Sequence, residues 1–277
     1  MRPRQILATT LAVLMLVAPA AFAQYGAADG EWRSFGGDIG STKYSGLDQI
    51  DADNVDSLRI AWRRPSVDPS YLEMDPNLRF SSQSTAAPLI IGGVGYVPNG
   101  IGLVEAFDAT TGATRWLQRP FGGSDDLRGT GTRGVAYWTD GTEARIISQR
   151  GEYLYALHPG TGEAMPGFGE DGRVHLTIGL EEGARYRWGG APTVIRDVIV
   201  VGQSMSDTFE TKEAIRGDVR AFDVRTGALK WVFHTVPQAG EFGTDSWEDD
   251  AWQFSGHAPV WSLFSADEEL GYIYMPV

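Results

Sequence analysis

Ala106-Phe-Asp-Ala-Thr-Thr-Gly-Ala-Thr-Arg-Trp116 recurs as Ala156-Leu-His-Pro-Gly-Thr-Gly-Glu-Ala-Met-Pro166 and as Ala221-Phe-Asp-Val-Arg-Thr-Gly-Ala-Leu-Lys-Trp231. Self-similarity at a period of tens of residues outranks local preference, because each copy is one structural unit stacked on its neighbours. In each copy Thr-Gly marks a tight turn whose Gly is free to take positive φ, and Asp108 or Asp223 can accept backbone amides across it. Each copy therefore reads as the end of a strand, a turn and the start of the next strand.

Working outward, a second hairpin precedes two of the copies. Ala87-Pro88-Leu-Ile-Ile-Gly-Gly-Val-Gly-Tyr-Val97 and Ala191-Pro192-Thr-Val-Ile-Arg-Asp-Val-Ile-Val-Val201 both open on Ala-Pro. Proline at the first residue of a strand removes no ladder donor. For the middle copy, Val135-Ala-Tyr-Trp138, the turn Thr139-Asp140-Gly141 and Ala144-Arg-Ile-Ile-Ser148 form the matching pair. Two hairpins per repeat make four strands, and copies spaced 50 and 65 residues apart suit four-stranded blades with variable loops. The fold class is all-β and the architecture a β-propeller. A sandwich gives no reason for one turn sequence to recur with a Trp at a fixed offset.

The repeats are expected around 85–119, 133–166 and 191–236, with an incomplete one at 257–277. In the last, Ala258-Pro259-Val260-Trp261 and Gly271-Tyr-Ile-Tyr-Met-Pro276 are expected to be the first two strands. Leu58-Arg-Ile-Ala-Trp62 reads as the last strand of a blade that has no beginning. The two ends could complete each other as a four-bladed ring, but nothing shortens the loops or caps the edge at Val277. The chain is therefore expected to be part of a longer protein.

Composition bounds the chemistry. Of 277 residues, 42% are hydrophobic and 21% charged, a globular balance, and 35 Gly with 14 Pro spread along the chain match the many turns of an all-β fold. A net charge of −13 argues against nucleic acid, which draws on a surplus of Lys and Arg. The absence of Cys removes disulfides, Cys-zinc sites, thiol nucleophiles, c-type haem attachment and lipoprotein acylation together. Residues 1–23 read as a secretory signal: Arg2 and Arg4, an apolar run from Ile6 to Ala18, and the small-residue site Ala21-Phe22-Ala23. That run is too short for a helix to span a bilayer, and no other segment could. Residues 24–277 are thus expected to be a soluble periplasmic chain.

Several longer motifs, in order, carry a family resemblance. They are Trp32-Arg-Ser-Phe-Gly-Gly-Asp-Ile-Gly-Ser-Thr-Lys-Tyr-Ser45, then Leu47-Asp-Gln-Ile50 with Asn54-Val55 to Trp62, Arg133-Gly-Val-Ala-Tyr137, and Phe168-Gly-Glu-Asp-Gly-Arg-Val-His-Leu176. Together with the repeats, they resemble the quinoprotein dehydrogenases that use pyrroloquinoline quinone (PQQ), whose propeller has eight blades when complete, so this chain would supply about half. Ser206-Asp-Thr-Phe-Glu-Thr-Lys-Glu213 leading into Arg220-Ala-Phe-Asp223, and Ser265-Ala-Asp-Glu-Glu-Leu-Gly271, are similar to the glucose dehydrogenase branch. The alcohol dehydrogenase branch carries an adjacent Cys pair where this chain reads Leu127-Arg-Gly-Thr-Gly-Thr132.

PQQ is a planar tricarboxylate quinone, which calls for a cation, amides and an aromatic plane. The resemblance implies that Arg133 contacts the cofactor and that Trp261 forms the floor beneath it, with Asp267 six residues on. Ser204 and Asp207 match a cofactor-and-metal segment, Asp207 being an oxygen ligand suited to a hard divalent ion, Ca²⁺ or Mg²⁺. Three departures stand out. The branch has Asn where Thr208 stands, its cofactor-contacting Glu is Thr85 here with Gln83 nearby, and a family Thr is Gln149. Both Thr85 and Gln149 can still hydrogen-bond. Trp116 and Trp231 read as packing between blades, the acidic run Trp247-Glu-Asp-Asp-Ala-Trp252 as a solvated loop, and the four His as structural or surface groups.

The resemblance implies a periplasmic dehydrogenase that oxidises a sugar, polyol or alcohol and passes electrons to ubiquinone or a cytochrome c. It also implies that the catalytic Asp follows Val277, so the chain alone is expected to be inactive. The competing class is a propeller scaffold without cofactor, such as an outer-membrane assembly lipoprotein, which expects an acylated Cys that this chain lacks.

Overall fold

The computed structural model describes residues 26–80, 84–180, 185–205 and 214–276. The repeated turn is built as its residues demand. Asp108 Oδ1 accepts from the amides of Thr110 and Thr111 at 3.1 and 3.0 Å, and Asp223 Oδ1 from those of Arg225 and Thr226 at 3.0 and 2.9 Å. In the middle copy His158 takes that place, its Nδ1 accepting from the Gly160 amide at 3.1 Å. The turn glycines Gly112, Gly162 and Gly227 hold φ of 73°, 73° and 72°, a region that strains any residue with a Cβ.

These turns close antiparallel four-stranded sheets with neighbours in chain order. Blade one contains β1 (Leu89–Ile91), β2 (Val94–Pro98), β3 (Val104–Asp108) and β4 (Thr114–Leu117). Blade two contains β5 (Ala136–Thr139), β6 (Ala144–Arg150), β7 (Tyr153–Leu157) and β8 (Arg173–His175), and blade three β9 (Thr193–Ile195), β10 (Val198–Val201), β11 (Val219–Asp223) and β12 (Leu229–Phe233). A fourth sheet has two strands, β13 (Ser265–Asp267) and β14 (Tyr272–Tyr274). In blades one and three the repeat's Ala faces its Trp across the ladder, Ala106 against Trp116 and Ala221 against Trp231, each followed by the same register shift.

The sheets stack face to face. Ile146 and Tyr155 pack with Leu89, Val104 and Trp116 of blade one, whereas Ile147, Leu154 and Ala156 pack with Ile199, Val200 and Ala221 of blade three. Successive residues of blade two thus serve opposite interfaces, so its strands lose the polar alternation of a half-exposed sheet.

Tryptophan at the end of one blade docks on the turn glycine of the next. A Cβ on Gly112 would lie 2.7 Å from the Trp62 ring, and one on Gly162 would lie 2.3 Å from that of Trp116. Gly227 instead meets Val174 and Phe168, because the middle copy has no Trp at that offset.

Three sequence expectations are corrected. After its turn, the middle copy pairs briefly, through the His158 amide on the Glu163 carbonyl, the Met165 amide on the Ala156 carbonyl and an isolated bridge at Ala164. Pro166 cannot continue the ladder, and the outer strand resumes at β8 after a seven-residue excursion. Ala258–Trp261 is not a strand, and the fourth sheet begins at Ser265. Leu58–Trp62 is extended but unpaired in any sheet, with Leu58 and Ile60 exposed. Trp231, in the last strand of blade three, is 37% exposed among the described residues.

Two devices join the sheets at their inner ends. A strap over residues 32–39 pairs with β1 through Trp32 and Ile90, at 2.8 and 2.9 Å, and accepts the Ala266 amide of β13 on the Ile39 carbonyl at 2.9 Å. Just ahead of the innermost strands runs a belt of backbone hydrogen bonds: Ala87 N–H donates to the Arg133 carbonyl at 2.9 Å, and Arg133 N–H to the Gly189 carbonyl at 3.2 Å.

Candidate functional site

The belt brings the expected site residues to one end of the stack. Arg133, the residue before Gly134 and β5, is held twice by one acceptor, since its Nη1 also donates to the Gly189 carbonyl at 3.2 Å. Its guanidinium carbon lies 5.8 Å from the centroid of the Trp261 ring, within the range of a cation–π contact. Trp261 stands just before the fourth sheet with 53% of its surface exposed, so one aromatic face is open. A side chain from blade two and one from the approach to blade four therefore converge across blade three.

Between them stands Trp188, buried, with its indole stacked on Phe264 at 5.7 Å and 25° and its Nε1 donating to the Trp261 carbonyl at 3.2 Å. Gly190 and Gly202 make room for it, a Cβ on either being 2.3 and 3.1 Å from the indole. Ser204 is tied to the same segment, its amide donating to the Arg187 carbonyl at 2.6 Å. Tyr186 lies below, its hydroxyl on the Gly202 carbonyl at 3.0 Å and its pKa pushed up by burial.

The remaining expected residues are placed differently. Thr85 is exposed, two residues upstream of the belt's Ala87. Gln149 is 1% exposed within β6; its Nε2 donates to the Gly151 carbonyl at 2.6 Å, and its Oε1 is buried without a partner. Asp267 caps the β13–β14 turn through the Leu270 amide at 2.9 Å. Asp207, with Gln83 and the 206–213 motif, lies outside the described residues. Among the described residues no group of three or more His, Asp or Glu converges as a metal set. Glu248, Asp249 and Asp250 are exposed, in keeping with a solvated loop.

Sequence reasoning passed over Trp188 and Gly189. The signal was present as Trp188-Gly-Gly-Ala-Pro192, a Trp beside two glycines just before an Ala-Pro strand opening. A cleft of about 460 Å³ lies nearby, between the strap, β5, β9 and Phe264. Neither Arg133 nor Trp261 lines it.

An open aromatic plane, a half-buried guanidinium and a glycine carbonyl that anchors it suit a flat, anionic ligand. The donor chemistry thus fits a planar polycarboxylate such as PQQ.

Comparison with known proteins agrees. The chain is 31% identical to the quinohemoprotein alcohol dehydrogenase ADH IIB of Pseudomonas putida, over 97% of this chain and 37% of that protein. It is 26% identical to quinoprotein glucose dehydrogenase A of Acinetobacter calcoaceticus, over 91% of this chain and 33% of that one. Among solved structures, the quinohemoprotein alcohol dehydrogenase from Comamonas testosteroni superposes with a TM-score of 0.65 at 26% identity, covering 88% of this chain and 35% of that one. The chain therefore spans little more than a third of these relatives' lengths. The family described as "PQQ: Glucose/ethanol/alcohol dehydrogenase, beta-propeller domain" matches residues 32–277, and the chain belongs to that family.

Proposed function

We propose that this chain forms part of the PQQ-binding propeller of a periplasmic dehydrogenase that oxidises a sugar, polyol or alcohol at its CH–OH group. The observation that carries it is the Arg133 guanidinium over the half-exposed Trp261 indole at 5.8 Å, two groups from different blades meeting where a flat anion can lie. Arg133 supplies a fixed positive charge and N–H donors for carboxylate or quinone oxygens, already oriented by the Gly189 carbonyl. Trp261 supplies the plane on which the ring system stacks. Ser204, tied to the Arg187 carbonyl, adds a hydroxyl beside the pair, Thr85 and Gln149 would have to turn toward the ligand to add theirs, and Asp207 holds a divalent ion, Ca²⁺ or Mg²⁺.

When bound, PQQ supplies the two-electron acceptor, and the protein contributes binding, orientation and electrostatics. No residue of this chain is assigned as the catalytic base. Electrons leave to ubiquinone or a cytochrome c, and residues 1–23 direct export. Alcohol and glucose dehydrogenases both stand among its relatives, so the substrate class is left as wide as CH–OH compounds.

Titration of the chain with PQQ and Ca²⁺ by calorimetry tests the reading. Saturable binding that Arg133→Ala and Trp261→Ala each weaken supports it. Binding that neither substitution alters puts the cofactor at another place in the chain, and no binding at all favours a cofactor-free scaffold.

A further inference from the structure

The belt that joins the blades changes character at its last step. From blade one to two and from two to three, the donors are the backbone amides of Ala87 and Arg133, which any residue but proline could supply. From blade three to four the acceptor is the Trp261 carbonyl, and the donor is the indole N–H of Trp188. This third link alone depends on the identity of a side chain.

That side chain has little freedom. It is buried, stacked on Phe264 three residues beyond Trp261, and wedged between Gly190, where a methyl group would collide with its ring, and Gly202, where one would press on its Nε1. The next residue, Gly189, holds Arg133 through two hydrogen bonds to one carbonyl. Adjacent residues therefore hold both partners of the cation–π pair, Gly189 the cation and Trp188 the backbone that carries the ring.

We propose that Trp188 is a positioning residue that sets the plane of Trp261 relative to Arg133 through its indole N–H. This rests on the reading of Arg133 and Trp261 as the PQQ-contacting pair, yet the placement itself is testable without cofactor. The chain labelled with 5-fluorotryptophan gives a fluorine resonance for Trp261, assigned by its loss in Trp261→Phe. Trp188→Phe keeps an aromatic ring against Phe264 and removes the donor. Site-specific replacement of Trp188 by benzothienylalanine, which keeps the bicyclic shape and has no N–H, serves should the phenylalanine variant fail to fold. Ile199→Val, a one-methylene loss in the blade-three core, controls for general loosening.

Removing the donor is expected to shift and broaden the Trp261 resonance in the absence of PQQ, and to weaken PQQ binding by about five- to tenfold, the effect of one lost neutral hydrogen bond. Ile199→Val is expected to leave both unchanged. An unmoved Trp261 resonance in a folded donor-free variant overturns the positioning role, as does an equal shift in the Ile199→Val control. Absent PQQ binding by the parent chain overturns the proposed function instead, and leaves the fluorine result to stand or fall by itself.

Discussion

The Trp116 indole N–H donates to the Pro159 carbonyl at 2.7 Å, and its ring occupies the space that a Cβ on Gly162 would need. One residue of blade one is thereby locked into the turn of blade two. Gly162→Ala is expected to destabilise the chain by about 2–4 kcal/mol, combining left-handed strain with overpacking. Gly141→Ala, at φ 89° with nothing within 4 Å, carries the strain alone and should cost about 1–2 kcal/mol. Urea denaturation of both variants measures the difference, and equal losses would mean the docking contributes nothing.

Glu105 sits at the other side of blade one, nearly buried, receiving Arg64 Nη2 at 2.9 Å, the Asp68 amide at 3.1 Å and Asn99 Nδ2 at 2.9 Å. Arg64→Ala leaves that carboxylate without its cation, for an expected loss of about 3 kcal/mol. In a Glu105→Gln background the same change should cost about 1 kcal/mol, since no bare charge remains. Denaturant midpoints for the four proteins of the cycle give the coupling.

Acid sensitivity follows from the turns. The Arg115 guanidinium at 2.7 Å, with the Thr111 amide and hydroxyl, holds the Asp108 carboxyl down to about 2. At Asp223 burial acts upward, but the Thr226 bonds outweigh it and the carboxyl is lowered. Folding therefore favours the ionised forms, and their stabilisation is present above the ordinary carboxylate value of about 4 and lost as pH falls toward 2. Asp108→Asn should be less stable than the parent at pH 6, with the gap closing by pH 2, as thermal melts across that range would record.

Arg133→Ala is expected to weaken PQQ binding by about ten- to hundredfold, the range for losing a hydrogen bond to a charged group. Arg133→Lys keeps the charge without the planar fork and should recover only part of the loss. Calorimetric titration at two salt concentrations separates the charge from the geometry, since only the former weakens with screening.

The four-stranded blade was legible because Thr-Gly and its Asp repeat at fixed offsets, and each such residue has a local physical job. The site was legible in its two ends, Arg133 and Trp261, through the motifs around them. Trp188 was not: the two glycines ahead of Ala191-Pro192 mark a close approach, but not that an indole replaces a backbone donor there. The excursion in the outer strand of blade two was hidden for a related reason: Pro166 signals a break, but only the pairing of β7 with Arg173–His175 reveals where the strand resumes. Val174 of β8, backed by Phe168, then takes the docking place on Gly227 that Trp fills in the other blades, a substitution in space rather than in register.

The strap over residues 32–39 bears on how the chain comes apart. Stacked repeats that touch only their neighbours unfold as a sum of local terms and can fray from either end. A segment bonded to Ile90 in the first sheet and to Ala266 in the last acts as a tie rod across an arch, because splaying any pair of blades lengthens the chord it spans. Loss of the terminal sheet must then strain the first, so unfolding is a single event shared by all four sheets rather than a peeling of one after another.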